Sequence, residues 1–234
     1  HMFLDGLEDA YDSRSLMGVF AEKTAEKYGF TREAQDEFAI SSLSRANAAI
    51  ENGHFKNEIT PVTVKNRKGD IVIDTDEQPG KARPEKIPSL RPAFAKDGTV
   101  TAANASSISD GASAIIMMRE SEANKRGIKP IARIIDHSVH AQEPNWFTTA
   151  PVGAMEKLYQ KTGWTDADVD LYEINEAFAV VTMAAMHDLN LSHDKVNIHG
   201  GACALGHPVG SSGSRIMITL LAALKAHGGK RGIA

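Results

Sequence analysis

The sequence predicts an α/β fold with layered packing, and three observations carry that expectation. Short apolar runs alternate with stretches of helical period from residue 112 onward: strands are expected at 112–118, 132–138, 170–174 and 196–199, helices at 120–126, 151–162, 177–189 and 211–226. No repeat of fixed period interrupts this alternation, so a solenoid or propeller is not expected. The third observation is compositional: 234 residues with 42% hydrophobic and 24% charged content suit a globular chain with a sizeable core.

The first 111 residues are less regular. Residues 5–22 are small and polar, and Ser15 or Gly18 opens a helix carrying Ala21, Thr24 and Ala25. Thr31 is the expected N-cap of a second helix, with Arg32-Glu33 in its first turn and Phe38, Ser42, Ala46 and Ala49 on one face. Asn52-Gly53 ends it. Residues 59–73 alternate around Asn66-Arg67-Lys68-Gly69-Asp70 and read as a hairpin. Residues 76–90 combine three prolines with Lys81, Arg83 and Lys86 and read as a basic loop, either a solvated charge run or an anion clamp for phosphates. Pro151 suits the first helical position and Asp166 the cap of a further turn.

The net charge of −4 gives no reason to expect nucleic acid or an anionic membrane as partner. No apolar run reaches membrane-spanning length. A single cysteine excludes an internal disulfide framework and suits a reducing, cytoplasmic compartment. His1-Met2 reads as either native or appended, and 230–234 reads as the start of a strand, so a chain cut at both ends is expected.

The chemistry concentrates in two stretches. Residues 200–215, GGACALGHPVGSSGSR, place five glycines around one histidine. Pro208 pushes His207 out of the α region onto a loop tip, and the small residues after it lead into a helix N-terminus. An imidazole, bare backbone and a helix start can together stabilise a developing oxyanion. A lone histidine in a glycine-rich connection is the plainer reading. The second stretch is Glu173-Ile174-Asn175-Glu176-Ala177-Phe178-Ala179. Asn175 ends a strand, where active-site groups of α/β proteins sit, or it simply caps the following helix. Glu176 either complements the helix dipole or ties neighbouring segments together. Phe178 alone reads as core.

Together, the two stretches and the gap from Asn175 to His207 resemble the thiolase family, whose C-terminal half carries Asn-Glu-Ala-Phe followed by Gly-Gly-x-x-x-x-Gly-His-Pro-x-Gly. The resemblance runs from about Asp5 to Ala234. It implies an incomplete layered αβαβα thiolase fold: residues 1–107 part of the loop domain on its coenzyme A side, 108–131 the returning segment of the N-terminal domain, and 132–234 the C-terminal domain truncated before its last strands. It also implies Claisen condensation of two acetyl-CoA to acetoacetyl-CoA, or the reverse thiolysis, through a cysteine acyl-enzyme. Asn175 would orient an oxyanion-hole water, and His207 would take the thiol proton and donate to the thioester oxygen. Substrate contacts carry over to Ala102 and Ser106 beside the pantetheine arm, in the stretch 99–106, TVTAANAS. They carry over also to Met17 and Phe147 in the acyl pocket and to Ala177 and Phe178 at the ligand channel. Leu16 departs from the family, which has histidine there, and Phe147 replaces a pocket methionine, favouring small acyl groups. No metal and no cofactor beyond coenzyme A thioesters are implied, and the intact protein would be a homodimer or homotetramer.

The decisive departure concerns thiols. Cys203 is the only cysteine, at a variable apolar position of the family, and reads as packing rather than as nucleophile. Neither catalytic cysteine is present, so this chain alone is expected to be inactive. A medium-chain 3-ketoacyl-CoA thiolase, a sterol-carrier-type relative, a ketoacyl synthase (which Asn175 argues against) and a non-catalytic coenzyme A-binding fragment are the rival readings.

Overall fold

The computed structural model describes residues 3–12 and 15–234; His1 and Met2 lie outside it. The helices are α1 (Met17–Tyr28), α2 (Arg32–Glu51), α3 (Glu77–Lys81), α4 (Glu120–Lys125), α5 (Ala150–Thr162), α6 (Ala179–Asp188), α7 (Ala202–Leu205) and α8 (Val209–His227). The strands are β1 (Val62–Val64), β2 (Ile71–Ile73), β3 (Leu171–Tyr172) and β4 (Gly232–Ile233). None of these helices is long and apolar enough to cross a membrane.

Local chemistry explains the helices that match expectation. The Thr31 hydroxyl accepts from Ala34 N at 3.2 Å, capping α2. Gly53, Gly163 and Gly228 follow α2, α5 and α8 in the left-handed region, which glycine enters without a Cβ penalty. β1 and β2 pair antiparallel in the expected hairpin, Val62 opposite Ile73 and Val64 opposite Ile71, with both faces exposed. The start of a strand expected at 230–234 is β4, parallel to β3.

Other expectations are corrected. Residues 76–90 contain α3 and a 3₁₀ turn at Pro84–Ser89, because Asp76 accepts from Gln78 N and Pro84 presets the turn. Thr165, not Asp166, caps the turn at Asp166–Asp168, sharing a reciprocal pair of bonds with Asp168. The buried strand expected at 112–118 and the strand expected at 132–138 do not form; Ile116 is 88% exposed and Ile134 59%. A strand needs a neighbour for its N–H and C=O groups, and none of the described strands lies beside these segments. The 196–199 strand shrinks to one bridge between Tyr172 and Val196, because Asn197 turns into the left-handed region at φ 48°.

Two apolar clusters organise what remains. One packs α5, α6 and β3 through Met155, Tyr172, Ile174, Ala185 and Val196. The other packs α1 against α6 and the 100–105 segment through Ala21, Ala25, Val100, Ala105, Val180 and Val181. The 173–178 segment joins them, with Ile174 in the first and Phe178 in the second, and the 199–207 segment packs on α2 through Ala204, Leu43 and Ala46.

Candidate active site

Asn175 does not cap α6. Phe178 stays extended because the 104–106 segment pairs with this stretch: Phe178 bridges Ala105, Ala179 N donates to Asn104 O at 2.8 Å, and Ser106 donates from both N and Oγ to Ala177 O at 3.0 and 2.8 Å. The helix therefore starts two residues later than its sequence pattern suggests, at Ala179. Asn104 is itself locked, accepting from Thr101 N and donating to Asp36 and Thr99 O. This leaves the half-buried Asn175 amide free to point at His207.

The second partner arrives from the glycine loop. His207 N donates to Ser107 O at 2.9 Å, and His207 bridges Ile108, so the same 104–108 strip holds both motifs. Asn175 Nδ2 lies 3.4 Å from His207 Nε2, and His207 Nδ1 lies 2.6 Å from Ser212 Oγ. The amide nitrogen only donates, so Nε2 is the acceptor and the ring proton sits on Nδ1. Ser212 Oγ accepts that proton and passes its own to Pro208 O at 3.2 Å. Burial, with the nearby Arg215 guanidinium adding to it, holds His207 below the ordinary histidine range. The ring is thus a neutral base with Nε2 facing the site. In Ser212→Ala the Nδ1–H loses a bond worth about 1 kcal/mol, and imidazole ¹⁵N spectra should change from one dominant tautomer to a mixture. Unchanged spectra would exclude Ser212 from holding the ring.

Glu176 ties the segments together, as one of its two sequence readings allowed. Its carboxylate, 1% exposed, accepts from Ser42 Oγ on α2 at 2.7 Å, Asn197 Nδ2 at 2.8 Å and Cys203 N at 3.0 Å. Burial raises its pKa against the pull of these donors. Ser42 Oγ also accepts from Gly201 N. Asn197 pairs with the Ile174 backbone in both directions, standing in for a strand partner. A Cβ at Gly201 would come within 2.3 Å of the Glu176 carboxyl carbon, so only glycine lets the loop approach. Gly206, at φ 85°, would press a Cβ against Ser109.

The predicted substrate residues fall into two places. Met17, Phe147, Ala177 and Phe178 meet in the cluster around Ala105 and Val180, with Phe178 edge-on to Phe94 and Phe147 edge-on to Phe20. Ala102 lies elsewhere, on a cavity of about 330 Å³ that it lines with Lys81, Arg83, Lys86, Ala103 and Cys203. Ser106 spends its hydroxyl on Ala177 O between the two.

This arrangement can now be set beside known proteins. The profile of the thiolase N-terminal domain matches residues 1–121 and that of the thiolase C-terminal domain residues 128–234. The chain belongs to the thiolase family. It is 47% identical over 236 residues to an acetyl-CoA acetyltransferase of Thiocystis violacea, covering 100% of this chain and 59% of that protein. The crystal structure of the Bacillus anthracis acetyl-CoA acetyltransferase superposes with a TM-score of 0.94 at 41% identity, over 99% of this chain and 59% of the other. An Ascaris suum thiolase in complex with coenzyme A superposes at 0.90 with 43% identity, over 95% and 57%. The α/β architecture is therefore that of a thiolase, of which this chain spans a little under three-fifths of the relatives' length.

In this thiolase chain Cys203 is half-buried, its thiol 3.9 Å from Glu176 O. Burial first, then the Glu176 charge, push the thiol well above its usual range, the reverse of what a nucleophile needs. Sequence reasoning missed Ser212, Ser42 and Asn197 as supports of the thiolase motifs. Ser212 had a signal, five residues after His207 at the start of a helix. Ser42 and Asn197 had none, since their partner Glu176 is remote in sequence.

Proposed function

We propose that this chain is the Asn/His half of an acetyl-CoA acetyltransferase of the thiolase type. The observation that carries the reading is Asn175 against the basic Nε2 of a His207 anchored by Ser212. In the complete protein, His207 Nε2 would take the proton of a cysteine thiol supplied outside this chain. The thiolate would attack the thioester carbonyl, and the resulting imidazolium, with a water held by Asn175, would face the developing oxyanion. Coenzyme A would leave from the adduct with the imidazolium proton, a second cysteine outside this chain would take the α-proton of a second acetyl-CoA, and the carbanion would attack the acyl-enzyme and expel the first cysteine's thiolate, giving acetoacetyl-CoA, or the reverse in thiolysis.

The basic cavity supports coenzyme A as the ligand. Lys81, Arg83 and Lys86 supply cations for its phosphates, while Ala102 and Ala103 leave room beside the backbone for its pantetheine arm. The apolar cluster of Met17, Phe147 and Phe178 supports a short acyl group. On this reading the protein needs no cofactor beyond its thioester substrates, works in the cytoplasm and assembles as a homodimer or homotetramer. The chain alone should bind coenzyme A yet show no thiolysis of acetoacetyl-CoA. Calorimetry should find affinity reduced at least about tenfold when Arg83 and Lys86 are both alanine, since each charge-assisted contact contributes about 1.5–3 kcal/mol. Turnover abolished by alkylating Cys203 would overturn this account. Coenzyme A binding indifferent to the double substitution would remove the cavity from it.

The same cavity favours one second reading, a non-catalytic coenzyme A-binding role for this chain by itself. Binding without turnover would fit both, and turnover restored by adding the remaining portion of a homologous thiolase would select the enzymatic one.

A further inference from the structure

Three histidines distant in sequence meet away from the Asn175–His207 pair. His54 opens the 3₁₀ turn after α2, His199 immediately precedes Gly200, and His227 is the last residue of α8. Each offers one ring nitrogen, and the three nitrogens lie within 4.8 Å of one another. His199 is 3% exposed, His54 is half-buried and His227 is exposed. His199 Nε2 and His227 Nε2 are 3.2 Å apart, and the His54 ring lies over His199 with centroids 4.5 Å apart. The buried Nδ1 of His199 has no partner.

We propose that His54, His199 and His227 form a binding site for a divalent zinc-class metal ion, holding it through three imidazole nitrogens with a fourth position open to water. Two nitrogens bound tetrahedrally at Zn–N distances of about 2.0–2.1 Å stand about 3.3 Å apart, and the His199–His227 pair already has that spacing. His54 is stacked near-parallel on His199, so its ring must turn for its nitrogen, already within 4.8 Å of the other two, to face the same point; His54 is half-buried and His227 exposed. Imidazole is a good ligand for Zn²⁺, Ni²⁺ and Cu²⁺ and a poor one for Mg²⁺ or Ca²⁺, which sets the class of ion. The alternative use of the same contact is a simple N–H···N bond between His199 and His227, with His54 stacked on it. An ion here would pin the end of α8 and the turn after α2 to the residue that leads into the Gly200-Gly201 backbone.

The test is a titration of the full 234-residue chain, freed of metal with a chelator, with Co²⁺ and then Zn²⁺. Site occupancy should give the intense visible bands of tetrahedral Co²⁺ at one equivalent, bleached by Zn²⁺, together with a higher melting temperature in Zn²⁺. His199→Ala opens a buried position and could unfold the chain, so the variants are His227→Ala and His54→Ala, with circular dichroism confirming the fold. Each should weaken Zn²⁺ binding at least about tenfold. Absence of the bands, binding that survives both substitutions, or a thiolate-to-cobalt band from Cys203 would each overturn the proposal and leave the hydrogen-bonded arrangement.

Discussion

Replacing Glu176 with alanine is expected to cost roughly 3–5 kcal/mol of stability, because three donors lose their acceptor at about 1–3 kcal/mol each, partly offset by no longer burying a carboxyl group. The reason is geometric. Ser42, Asn197 and the Cys203 amide all donate to this one carboxylate, and Ser42 and Asn197 are almost wholly buried. A domain of this size has a total stability of roughly 5–15 kcal/mol, so the variant should be largely unfolded by modest denaturant. Glu176→Gln keeps the shape and one acceptor oxygen but turns an NH₂ group toward other donors, and should lose about 1–3 kcal/mol. Urea unfolding followed by circular dichroism measures both. A Glu176→Ala midpoint equal to the parent's would mean that the glycine loop, α2 and the 173–178 segment are held by something other than this clamp.

Stability is expected to fall as pH rises from 6.5 to 8, and Glu173→Gln should reduce that slope, with Glu176 and Glu58, both raised by burial, carrying the remainder. Glu173 is completely enclosed, and burial lifts its pKa from 4.5 to about 8, helped by the Glu176 and Glu58 charges and opposed by Arg215. Below pH 4.5 folded and unfolded chains both hold the proton. Above that the unfolded chain ionises first, so each pH unit up to about 8 removes about 1.4 kcal/mol. Glu58, raised to about 7 by burial, adds to the loss until it too ionises. His199 acts in the opposite direction and in another window. Its pKa is depressed from 6.5 to about 4, so its contribution is present above 6.5 and is lost as pH falls toward 4. His193 and His207 are depressed as well, so the three histidines together offset about 1 kcal/mol between pH 6.5 and 8, and the expected net loss across that interval is about 1 kcal/mol or more. Urea midpoints at the two pH values give the slope. The same slope in Glu173→Gln would mean that Arg215 keeps Glu173 ionised in the folded chain.

These two residues illustrate where sequence and structure divide. The helices were legible wherever local chemistry decides: the Thr31 cap, the glycines after α2, α5 and α8, and Pro151 in the first turn of α5 act within a few residues of themselves. The site was legible as a pair of motifs because Asn175 and His207 sit in stretches whose residue types serve one chemistry. What those side chains do was not legible. Asn175 alone reads first as a helix cap, and the pairing of Ala105 with Phe178 delays α6 and leaves its amide facing His207. Strands suffered most. The apolar runs at 112–118 and 132–138 carry the composition of buried strands, yet a strand exists only where another backbone accepts its hydrogen bonds, and none of the described strands does so for these. By itself, then, the sequence determined the α/β class, the family, most of the helices and the two motifs, all of which rest on interactions over a few residues or on residue type. Only the tertiary structure decided that Glu176 is a three-way clamp, that Ser212 sets the His207 tautomer, and that His54, His199 and His227 share one spot. Each of these depends on side chains brought within about 3–5 Å by folding, a closeness that no local spacing encodes.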